Sequence, residues 1–154
     1  MRHAVRIIVS AAFAGFAGFA SAQTVAPDMV SFTDENAVEQ SLTGKPGDPV
    51  AGSKVFANRK LGNCLACHAN ADQNDQPFHG EVGPELNGVA DRWSEQELRA
   101  IVINSKVAFG NQTIMPSFYR QKNGARTMEK FEGKTILSAE QVEDVVAYLL
   151  TLKE

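Results

Sequence analysis

The sequence predicts an all-α fold on three observations. Ser94 with Glu97, and Ser138 with Gln141, are spaced as capping boxes, in which each side chain satisfies the other residue's free N–H at a helix start. Behind each box comes an apolar stripe of helical spacing. The first is Leu98, Ile101 and Val102; the second is Val142, Val145, Val146, Leu149 and Leu150. No stretch competes with the period of two that a half-buried strand requires. At 154 residues, the chain has room for one small domain with processed and extended parts beside it.

Residues 1–22 read as a secretory signal peptide. Arg2, His3 and Arg6 form its basic start, residues 7–19 its apolar run, and Ala20-Ser21-Ala22 a cleavage site that leaves Gln23 first. The apolar run is too short for a stable membrane span, and no second one follows. The mature chain is therefore expected to be soluble and periplasmic. Loss of Arg2 and Arg6 leaves 13 basic against 18 acidic residues, a net charge of −5, which argues against nucleic acid or an anionic membrane as partner.

Residues 23–47 form an N-terminal extension. Met29, Val30 and Phe32 are scattered there without a period, and Thr43-Gly44-Lys45-Pro46-Gly47 is loop material. A disordered linker is one reading. The other, favoured by the scattered apolar residues, is an arm lying on a partner or on the domain.

The domain spans residues 48–154. Asp48 can cap a helix whose first turn holds Pro49, with Gly52, Val55 and Phe56 as its apolar face. Gly62 and Asn63 end that stretch. Residues 69–86 read as an irregular loop, in which the carbonyl of Pro84 is a candidate acceptor for a histidine ring N–H. Trp93 with Leu98, and Leu137 with Val142, are spaced as hydrophobic staples beside the two boxes. Trp93 can alternatively act as a donor to a bound carboxylate. Residues 106–136 show little regular pattern, and loops of that length in a small domain are usually functional.

The chemistry is concentrated in Cys64-Leu65-Ala66-Cys67-His68, which reads C-x-x-C-H. This is the attachment pattern of a c-type haem. Two cysteines three positions apart on one turn can each form a thioether to one porphyrin vinyl group. The next residue, His68, then lies under the iron as its proximal ligand. These are the chain's only two cysteines. A disulfide between them is an alternative in an oxidising compartment. A thioredoxin-type pair would need a βαβ context, and a zinc site would have to add His79 without the usual spacing.

A six-coordinate iron needs a second axial ligand, and the mature chain offers Met29, Met115, Met128 and His79. Met29 lies in the extension, Met128 in a charged stretch, and His79 close to His68. Met115 lies in an apolar loop, 47 residues past His68, and Pro116 stiffens the chain beside it. It is the best candidate, with a core methionine as the alternative. Histidine and methionine together raise the haem potential and leave no open site, which points to an electron carrier and not to catalysis at the iron.

With these residues in place, the chain resembles the class I cytochromes c. The match is carried by Gly52-x-x-x-Phe56, the C-x-x-C-H, Gly83-Pro84-x-Leu86, Met115-Pro116, and a last helix with Val145 and Tyr148. The resemblance implies that the first and last helices cross, the glycine and Phe56 meeting the aromatic of the last helix. Residues 41–49, 62–68, 114–119 and 134–149 more closely resemble the SoxX family, the mono-haem subunits of sulfur-oxidising systems. That resemblance implies one covalent haem c and a SoxA-like c-type cytochrome as partner. The pair would act as an L-cysteine S-thiosulfotransferase, oxidatively joining thiosulfate to a cysteine of the SoxYZ carrier. This chain would be its non-catalytic electron-transfer subunit, passing electrons to a soluble cytochrome. With both cysteines used by the haem, no nucleophilic thiol remains. A free-standing periplasmic shuttle is the alternative.

Overall fold

Asp48 opens the domain by accepting the N–H groups of Val50 (2.8 Å) and Ala51 (3.3 Å) on its carboxylate. Pro49, which has no N–H to leave unpaired, takes the first position of α1 (Pro49–Ala57). The structure, a computed structural model, describes residues 23–122, 124 and 127–154; the signal peptide read in residues 1–22 lies outside them. A short α2 (Val89–Arg92), a long α3 (Glu95–Phe109) and α4 (Ala139–Leu149) follow α1. Single 3₁₀ turns occur at Cys64–Ala66, Ala71–Gln73 and Glu129–Phe131, and no strand occurs among the described residues. No helix among them is long and apolar enough to cross a membrane.

Both capping boxes form. Ser94 and Ser138 each accept the N–H three residues on, and Glu97 and Gln141 reach back. The main helix contact is α1 against α4, with α3 packed on α4 as well. Gly52 makes the α1–α4 crossing possible, because a Cβ there would sit 1.9 Å from the carbonyl oxygen of Asp144. One turn on, Phe56 meets Tyr148 edge to face, with centroids 5.3 Å apart. Val142, Val145, Val146 and Leu149 of α4 and Leu98 and Ile103 of α3 are buried in one core with Phe56. Each such side chain contributes about 1.5–3 kcal/mol by leaving water.

One expectation needs correction. The irregular segment begins later than residue 106, since α3 runs on to Phe109 through a kink at Asn104 (φ −149°, ψ 84°). For the extension, the favoured one of the two readings holds: it is an arm that lies on this chain's own domain. Val38 and Leu42 are buried in the core. The Val38 N–H donates to the Gln96 carbonyl (3.0 Å), and the Val25 N–H to the Leu42 carbonyl (2.8 Å).

Two buried charges hold that arm. The Arg99 guanidinium donates to the Val38 carbonyl (3.0 Å), and its Nε lies 3.0 Å from Glu143 Oε1. Glu143 accepts the Leu42 N–H at 2.8 Å. Glu95, one turn before Arg99, completes its pairing.

Candidate haem site

The side of the site that carries the two cysteines and His68 is built from a tight turn. Asn63 takes the left-handed conformation (φ 50°) and feeds the 3₁₀ turn that carries Cys64. The N–H groups of Cys67 (3.1 Å) and His68 (3.0 Å) both donate to the Cys64 carbonyl, which brings the two sulfurs and the imidazole onto one side. Cys64 and Cys67 are half-buried and form no disulfide with each other.

The loop after the motif folds back over it. The N–H groups of Gly80 and Gly83 donate to the carbonyls of Leu65 and Cys67, each at 2.8 Å. This presents the Pro84 carbonyl to His68 Nδ1 at 2.7 Å. The carbonyl can only accept, so Nδ1 carries the proton and Nε2 keeps its lone pair for a metal. Gly83 must lack a side chain, because a Cβ there would meet the imidazole at 2.4 Å.

Facing His68 is an open cavity of about 450 Å³, within the usual size of about 300–1,000 Å³ for cofactor sites. Cys64, Cys67 and His68 form one wall, and Thr113, Ile114, Met115 and Pro116 contribute to another. The cavity fits a large apolar group. Val82, Phe109, Ile114 and Met128 are strongly exposed hydrophobic residues, and all four line it. Arg59, Lys60 and Lys130 also line it, with no carboxylate among them. A separate, smaller cavity of about 100 Å³ shares Cys64, His68 and Met115 with it and is also lined by Trp93 and Phe56. Trp93 is half-buried there, edge to face with Phe109 at a centroid separation of 6.0 Å.

The other ligand candidates separate in space. His79 is tied into its own loop, accepting the Asn70 N–H at Nδ1 (3.3 Å) and donating from Nε2 to the Gln73 carbonyl (3.0 Å). Met29 lies on the arm, 70% exposed and lining a different pocket. Met128 does reach the cavity, as a 61% exposed residue of its wall. Met115 is half-buried and lines both cavities together with His68.

A model of the cytochrome c family matches residues 49–153. The chain belongs to the cytochrome c family. Among solved structures, this cytochrome is similar to a chain of SoxXA from P. pantotrophus, with 45% identity over 85% of this chain and 99% of that one, at a TM-score of 0.78. The c-type cytochrome SorU from Sinorhizobium meliloti is 25% identical over 68% of this chain and 90% of that one, at a TM-score of 0.43. No curated protein matches it. The chain is thus a SoxX-like cytochrome c, and its cofactor is a covalently bound haem c.

Several functional neighbours carried no signal in the motifs. Ser105 and Lys106, just past the kink, both bond the backbone of Met115. Asn70 and Gln73 donate to the Tyr148 hydroxyl, which donates in turn to Asp72 at 2.7 Å. Only the position of Arg99 and Glu143 directly beside stripe residues hinted at their burial.

Proposed function

We propose that this cytochrome is the electron-transfer subunit of a periplasmic, thiosulfate-oxidising complex with a SoxA-like cytochrome. The observation that carries this reading is Met115 lining the same cavity as Cys64, Cys67 and His68, in a chain that covers 99% of its SoxXA counterpart. Cys64 and Cys67 would attach the haem, His68 and Met115 would supply the ligands to its iron, and no residue of this chain is assigned a catalytic role. Haem c supplies a one-electron ferric/ferrous couple, whose potential a histidine–methionine pair raises.

The chain's residues make that couple usable. Pro84 fixes the His68 ring, so ligand geometry changes little as the charge state changes. Val82, Ile114 and Met128 keep water from the apolar face. Residues 1–22 address the chain to the periplasm, residues 23–47 form the extension, and residues 48–154 hold the haem. The partner joins the terminal sulfur of thiosulfate to the carrier cysteine of SoxYZ, with loss of the thiol proton and two electrons. Those electrons leave singly through this subunit to a soluble cytochrome.

A free-standing shuttle is the second reading, favoured by the arm lying on its own domain and needing no partner to hold it. Gentle affinity purification from the periplasm of thiosulfate-grown cells separates the two. A second c-type cytochrome in fixed ratio is expected. A lone haem protein from cells that express the SoxA-like chain would overturn the subunit reading.

A further inference from the structure

We infer that Asn104, Ser105 and Lys106 are positioning residues for Met115, brought to bear on its loop by the kink in α3. The inference rests on the reading of Met115 as the distal ligand. In a regular helix, successive side chains are about 100° apart and do not share a face. Here three consecutive ones reach the same segment. Ser117 Oγ donates to Asn104 Oδ1 at 2.8 Å. Ser105, fully buried, donates to the Met115 carbonyl at 2.7 Å. The Lys106 ammonium donates to the carbonyls of Met115 and Thr113, both at 2.6 Å.

The same segment satisfies the backbone that the kink disturbs. The Lys106 N–H turns to Asn104 Oδ1 at 3.3 Å. The carbonyls of Val102 and Ile103 accept the N–H groups of Phe118 and Tyr119, both at 3.1 Å. A kink has an identifiable cause, and here it is the insertion of residues 113–119 into the hydrogen bonding of α3.

The result is a methionine whose backbone is fixed on every side. Its carbonyl receives two donors, one for each lone pair. Its N–H points to Thr113 Oγ1 at 3.3 Å, and the Pro116 ring restrains the next bond. Only the side-chain torsions remain to place the sulfur. A thioether is a weak axial ligand, so its hold on iron depends on such preorganisation.

The test uses the holoprotein carrying Lys106→Met and, separately, Ser105→Ala, with exposed Lys153→Met as control. Three signals are read: the ferric sulfur-to-iron charge-transfer absorption, the reduction potential, and the rate of carbon monoxide binding to the ferrous protein. Either clamp variant is expected to weaken the absorption, lower the potential and speed carbon monoxide binding by about tenfold, as loss of one strong hydrogen bond would. Lys106→Arg, which keeps the donors, is expected to recover toward the parent. If both clamp variants match the parent in all three signals, the inference is overturned. Met115→Ala, measured alongside, distinguishes the two possible failures. If it too changes nothing, Met115 is not the ligand and the underlying reading falls. If it opens the iron to carbon monoxide while the clamp variants do not, only the clamp falls. Should Ser105→Ala yield no holoprotein, Lys106→Met, at a half-exposed site, decides alone.

Discussion

Gly83 shows how narrow the tolerance around the His68 imidazole is. A methyl group there would occupy space 2.4 Å from His68 Cε1, and the neighbouring Pro84 carbonyl holds the ring through Nδ1. The imidazole cannot shift without losing that bond. Gly83→Ala is therefore expected to cost about 1–3 kcal/mol by overpacking and to move the reduction potential, because the ring must tilt. Thermal denaturation and redox titration of the holoprotein check the two effects. Glycine at this position was readable in the sequence as part of a loop, but its reason was not. The reason is a contact with a ring 15 residues earlier.

At the scale of elements, starts and stripes are local and were legible. Ser94, Ser138 and Asp48 declare their helices, and Phe56 and Tyr148 meet as the resemblance implied. The kink at Asn104 was not legible, because it depends on a segment ten or more residues later. The arm was legible only as a choice between alternatives, since the pair that decides it, Arg99 and Glu143, joins α3 to α4. Within the site, the haem motif and the choice of Met115 came from local pattern, while Ser105 and Lys106 came only from the folded chain. Removing Glu143 leaves the buried Arg99 with Glu95, itself half exposed, as its remaining carboxylate partner. Glu143→Ala is accordingly expected to cost about 3–5 kcal/mol and to expose residues 36–47 to protease, since Leu42 also loses its acceptor. Glu143→Gln, which keeps an acceptor, should cost less. Urea denaturation and limited proteolysis measure both.

For the whole molecule, the two tyrosines make stability sensitive to alkali. Burial raises the Tyr119 hydroxyl above its ordinary value, and burial together with the Asp72 bond pushes Tyr148 up to about 12. An unfolded tyrosine ionises near about 10. Between these values the unfolded chain gives up the proton first, so stability is intact below about pH 10 and falls as pH rises toward 12. Denaturant midpoints measured from pH 8 upward should show this decline, with a smaller slope in Tyr148→Phe, which also starts from a less stable state. The open cavity has a consequence of another kind. Phe56, Trp93, Val145 and Leu149 line the small inner cavity and Val82 and Ile114 the open one, and Cys64, His68 and Met115 line both. A chain not yet joined to its porphyrin lacks the middle of its own core and shows a sticky mouth to its surroundings. Cofactor attachment is thus a step of maturation as well as of function.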